Sequence, residues 1–245
     1  MKNNIFDNLY NKKEEELLKI IKNKLKKQEK TFIITANAEI YMKSFNDSNL
    51  FNILNNENNI IIPDGILVVK LAKYLGYNIE KRITGIDLCK KILEISDKNK
   101  YKIYLYGANK NVLKKLKSII SNSYRNTIIC GSMNGYNNKE EDVLKHIKKL
   151  KPDIVLVALG VPKQEKFINK IINQVDKGIY IGVGGTFDVL SGYKKRAPKI
   201  LIKLNLEWLY RIVKEPKRIK RFFDNNIKFI FKIIKIKKEM RKYND

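Results

Sequence analysis

Six short runs rich in β-branched residues recur along this 245-residue chain: Thr31–Thr35, Ile60–Ile62, Lys102–Tyr106, Thr127–Cys130, Asp153–Ala158 and Gly178–Val183. Between them lie longer segments with helical apolar spacing, around Glu14–Lys27, Ile66–Leu75, Ile86–Ile95, Val112–Ile120, Glu140–Leu150 and Gln164–Ile172. Breakers such as Gly107, Gly131, Pro152 and Gly160 stand near the joins. This alternation predicts an α/β fold, a Rossmann-like and mainly parallel sheet flanked by helices. With 44% hydrophobic residues, the chain can bury one full core. Strand signals stop after Arg196-Ala197-Pro198. The division expected is an α/β core over residues 1–193 and a basic helical appendage over 194–245, helical at Ile200–Val213 and broken at Glu215-Pro216.

Charge narrows the choice of ligand without deciding it. Lys and Arg number 51 against 25 acids, a net of +26, and residues 194–245 carry 18 of those bases against five acids. Such a field favours phosphates, nucleic acid or anionic lipid, although solvated lysines account equally well for the spread over the first 193 residues. Cys89 and Cys130 lack zinc-type spacing and suit a reducing compartment. The single histidine, His146, sits among lysines on an expected helix and reads as a surface residue. No 18-residue apolar run and no signal-peptide core are present, so a cytoplasmic protein without a spanning helix is expected.

In open α/β sheets ligands sit beyond the carboxyl ends of the strands. Asp64 follows Ile60–Ile62 and Pro63; it is either a turn or capping residue or a partly desolvated general base. Thr35 and Asn37 end the first strand, placed to bond a sugar or to close a helix terminus. Arg82 precedes an expected cap at Thr84; it suits phosphate, or a surface ion pair. Gln164 stands one turn into a helix opened by Pro162, where its amide is able to face the cleft, although a lone glutamine carries little signal. Gly182, Gly184 and Gly185 lack dinucleotide-fingerprint spacing but permit close approach of a diphosphate, or a plain strand-to-helix turn. In the last segment Asp224, Lys228, Lys232, Lys235, Glu239 and Lys242 form a polar stripe, with Phe223, Ile227, Ile230, Phe231 and Ile234 opposite. That pattern fits a helix lying on anionic lipid or one closing over its own domain.

Eight segments share an order and spacing: TANAEI at 35–40, IPDG at 62–65, RITGIDL at 82–88, YLYGA at 104–108, GVPKQEKFI at 160–168, GVGGTFDVLSG at 182–192, RAP at 196–198 and LEWLYRIVKEPKRIKR at 206–221. Together they resemble the WecG/TagA/CpsF glycosyltransferase family. The resemblance implies inverting transfer of N-acetylmannosamine or a related sugar from a UDP donor to N-acetylglucosaminyl-diphospho-undecaprenol, with no metal or other cofactor required. It makes Asp64 the base for the acceptor's C4 hydroxyl, and Thr35, Asn37, Arg82 and Gln164 the lining of the same cleft. It further implies that Arg211, Arg218 and Arg221 close over the site at an anionic membrane surface, placing the protein peripherally on the inner face of the cell membrane. Homo-oligomerisation is compatible with this picture. A different donor, such as UDP-N-acetylmannosaminuronic acid, stays open. So does the separate class of a basic nucleic-acid-binding protein, although no nucleic-acid recognition motif is present and no such partner is expected.

Overall fold

The computed structural model describes residues 5–242. All six expected strands form: β1 (Lys30–Ala36), β2 (Asn59–Pro63), β3 (Lys102–Gly107), β4 (Ile128–Met133), β5 (Ile154–Ala158) and β6 (Gly178–Gly182). They make one parallel sheet in the order β2-β1-β6-β5-β3-β4. Every residue of the central β5 and β6 is buried, which is why their sequences are apolar throughout rather than alternating.

The helices are α1 (Glu14–Lys26), α2 (Ala38–Ser44), α3 (Ser48–Leu54), α4 (Ile66–Tyr74), α5 (Gly85–Asn99), α6 (Lys110–Ser123), α7 (Glu140–Leu150), α8 (Lys163–Ile172), α9 (Thr186–Leu190), α10 (Lys199–Lys203), α11 (Glu207–Lys214), α12 (Arg218–Phe222) and α13 (Lys228–Lys242), with a π-helical turn at Phe223–Ile227. The six core helices expected from spacing are all present. Three more, α2, α3 and α9, have seven, seven and five residues, too few to display a repeat. The single helix expected over Ile200–Val213 is instead α10 and α11. Asn205 parts them with a φ of 58°, a left-handed conformation that no helix interior accepts.

Apolar side chains of α2, α3, α4, α7, α8 and α13 form the core on one sheet face, and those of α1, α5, α6 and α9 form it on the other. Adjacent strands β1 and β6 therefore send the chain to opposite faces, β1 into α2 and β6 into α9. Such a divergence opens a crevice at the carboxyl edge of the sheet.

The tail lies against this body. Phe229 is fully buried, its ring stacked on Tyr41 at 5.7 Å and edge-on to Phe6 at 6.2 Å, and Ile233 one turn later is equally buried. Phe223 and Phe231, expected on the apolar face, are 55% and 67% exposed. For Phe231 the cause is the π-helical turn, whose extra residue rotates the following helix by about 100° from an unbroken α-helical phase, while Phe223 is the first residue of that turn and precedes the rotation. Among the described residues no helix is long and apolar enough to cross a membrane.

Phe229→Ala is expected to lower stability by about 3 kcal/mol in chemical denaturation, as for other large core truncations. Phe231→Ala should stay within about 0.5 kcal/mol of the parent.

Candidate active site

The ends of β1 and β2 are held together beyond their ladder. The Ala36 carbonyl accepts hydrogen bonds from both Asp64 N (2.9 Å) and Gly65 N (3.2 Å). A side chain at position 65 would crowd Asn37 Cα at 3.3 Å, so glycine is what lets these two loops touch. Asp64 does not cap the helix that follows it, since Gly65 occupies that place in α4. Its Oδ1 instead accepts from Gly85 N, 3.1 Å away, at the start of α5, where Thr84 is the cap as expected. Gly85 in turn abuts Thr35, whose hydroxyl donates to the Gly182 carbonyl of β6 at 2.8 Å. Thr35, Asp64 and Gly85 thus meet at the β2–β1–β6 end of the crevice.

Three arginines and a buried glutamate surround this carboxylate. Arg82 donates through Nε to the Asp64 backbone carbonyl and through its terminal nitrogen to Glu207 at 3.0 Å. Arg211 reaches the other oxygen of Glu207 at 2.7 Å. Arg196 makes a bidentate pair with Asp87 at 2.6 Å per contact, and its Nε is buried with no partner among the described residues. Burial pushes the Asp64 carboxyl above the usual range, and Glu207 pushes the same way; Arg82, the Gly85 N–H and Arg211 pull it down without cancelling the rise. For Glu207 burial also acts upward, but Arg211 and Arg82 outweigh it and hold its carboxyl below the ordinary value.

The remaining expected residues fall into two groups. Asn37 caps α2, its side chain accepting from Ile40 N at 3.2 Å, beside Asp64-Gly65. Gly184 takes a φ of 50° and Gly185 is exposed with open space around it, both in the β6–α9 loop across the crevice. Gln164 is only 1% exposed, so its amide does not line the cleft. Its Oε1 accepts from Gly160 N and Gly184 N, tying two crevice loops together. Arg218 lies farther out on Glu215, and Arg221 on Glu39 of α2; only Arg211 of the three tail arginines reaches the Glu207 cluster.

Glu207, Arg196 and Glu165 escaped the residue-level reading. Each lay inside a recognised segment, yet an acid in a basic helix, an arginine before Ala-Pro and a glutamate after glutamine carry no spacing signal. Glu165 is fully buried, and burial pushes its carboxyl up to about 7.

Comparison with known sequences agrees with the eight segments. The model of the WecG/TagA/CpsF glycosyl transferase family matches residues 4–243. This chain belongs to that family. Among similar curated proteins is the N-acetylglucosaminyldiphosphoundecaprenol N-acetyl-beta-D-mannosaminyltransferase of Bacillus subtilis (strain 168), 44% identical over 189 residues, 77% of this chain and 73% of the relative. Relatives of the same name from Bacillus spizizenii and Staphylococcus aureus (strain MW2) are 37% and 36% identical, covering 78% and 86% of this chain and 74% and 82% of their own lengths. The eight segments lie at the crevice loops and on the tail helices beside them.

The opposing influences on Asp64 yield a test of sign. Glu207→Gln removes a negative neighbour and should lower the Asp64 pKa, while Arg82→Gln removes a positive one and should raise it; carboxyl ¹³C NMR titration reads both shifts.

Proposed function

We propose that this chain is an inverting glycosyltransferase that moves N-acetylmannosamine from a UDP donor to N-acetylglucosaminyl-diphospho-undecaprenol, a step in building a teichoic acid or related cell-surface polymer. The observation that carries the proposal is a carboxylate of raised basicity at the mouth of an α/β crevice, ringed by guanidinium groups. Family membership and the names of the relatives supply the donor and acceptor classes.

In this reading Asp64 removes the proton from the acceptor's C4 hydroxyl as that oxygen attacks the anomeric carbon of the donor. The bond from that carbon to UDP breaks on the opposite face, giving inversion. A general base works best when its pKa lies near the working pH, and partial burial moves Asp64 in that direction. Negative charge gathers on the departing diphosphate. Arg82, Arg196 and Arg211 supply fixed positive charge close by, and the unpartnered Arg196 Nε leaves one donor free for it. Arg218 and Arg221 exchange their present carboxylate partners for the diphosphate when the donor binds, and no metal is needed for the leaving group.

The tail also suits a peripheral position on an anionic membrane, where the acceptor resides. Ile200, Leu204, Val213, Ile219, Phe223 and Phe231 are all more than half exposed, among many lysines. Apolar side chains projecting from a basic surface are what an interfacial segment needs.

Purified protein given UDP-N-acetylmannosamine and the lipid-linked acceptor should yield a lipid disaccharide at equal rates in EDTA and in magnesium. Asp64→Asn should lower turnover by about 10²–10⁴-fold with the fold intact. Because the base must be ionised, kcat/KM should fall as the pH drops through a value above the ordinary aspartate range. Absence of product from this donor, with product from another in a panel of UDP-sugars, would reassign the donor. Sedimentation with vesicles should occur with phosphatidylglycerol and weaken in high salt.

A further inference from the structure

Beneath the crevice floor, Gln164 and Glu165 form a closed pair at the start of α8. Gln164 is 1% exposed and Glu165 is not exposed at all. The Gln164 Oε1 receives two backbone donors, Gly160 N at 3.2 Å and Gly184 N at 3.0 Å. Two N–H groups converging on one amide require its oxygen to face them, so its nitrogen must face the other way. There it finds Glu165 Oε1 at 2.8 Å. The fit is close, since a side chain at Gly182 would come within 2.7 Å of the Gln164 nitrogen. Lys43 and Glu39 of α2 complete the surroundings; they pair with each other at 2.9 Å, and Lys43 also donates to the Val161 carbonyl at 2.7 Å. Among the described residues no cation bonds Glu165, and its Oε2 has no partner.

Such a group is hard to explain as a stabiliser. A buried carboxyl with an unpaired oxygen is destabilising relative to an apolar side chain of similar size, so its presence points to what its other oxygen does. We propose that Glu165 is a positioning residue for glycosyl transfer: by accepting the Gln164 amide hydrogen it fixes the Gln164 oxygen as joint acceptor for Gly160 and Gly184, and so sets the spacing of the two loops that bound the donor side of the crevice. This inference rests on the transferase reading for its kinetic consequence, but its structural content is independent of the reaction.

Three substitutions test it, each with amide hydrogen exchange at Gly160 and Gly184 and with steady-state kinetics. Glu165→Met keeps length and removes the acceptor; protection of both amides should fall about tenfold, and the KM for the UDP-sugar should rise about tenfold with kcat unchanged, the scale of one buried hydrogen bond. Glu165→Gln retains an acceptor oxygen and should restore both quantities. Should methionine block folding, Glu165→Asp provides the deficient arm, because it withdraws the acceptor by one methylene. Parent-like protection of both glycines in the deficient variant, or loss of protection in Glu165→Gln, overturns the proposal. A parent enzyme without transferase activity would defeat the functional reading while the exchange data still decide this one.

Discussion

A carboxylate that is 3% exposed needs cationic partners, and Glu207 takes one from each half of the chain. Arg82 comes from the loop before α5 in the core, and Arg211 from the next turn of the tail helix. Glu207 and Arg211 sit one turn apart on the same tail helix, so within this cluster the Arg82–Glu207 pair is the link between tail and core, and it adds to the burial of Phe229 and Ile233 in holding the tail at the crevice. The same Arg82 bonds the backbone of Asp64. Position and basicity of the candidate base are therefore coupled to whether the tail is seated.

The crevice concentrates opposite charges without letting them neutralise one another fully. Among the described residues Asp87 engages Arg196, and Glu207 engages Arg82 and Arg211, while the side chain of Asp64 has a single backbone N–H from Gly85. Its carboxylate is consequently the least satisfied of the three and the one whose affinity for a proton is raised. An arrangement of this kind separates roles: two carboxylates hold cations in place, and the third is left to exchange a proton.

The strands were legible because a parallel sheet covered on both faces demands uninterrupted β-branched runs, and the longer helices because one apolar stripe must face that sheet. Helices α2 and α3 were not, since a seven-residue helix is specified by its cap, Asn37 or Asp47, more than by periodicity. The phase of α13 was misjudged because a π-helical turn leaves no mark in an Ile, Lys and Phe pattern. Asp64 could be placed at a strand end, but its bond to a glycine 21 residues later is a product of topology. The burial of Gln164 was equally hidden: a glutamine one turn into a helix has the same letters whether it faces a cleft or supports the loops beneath it. Glu207 and Arg196 became visible only when α11 and the RAP segment folded back beside Arg82.

The most direct measurement is a crystal structure of the protein with UDP and an acceptor analogue carrying the lipid-linked N-acetylglucosamine headgroup. The account predicts an Asp64 carboxylate oxygen about 2.6–3.2 Å from the acceptor's C4 hydroxyl, with Arg82, Arg196 and Arg211 turned toward the diphosphate. An Asp64 remote from that hydroxyl, with the guanidinium groups facing solvent, would contradict it.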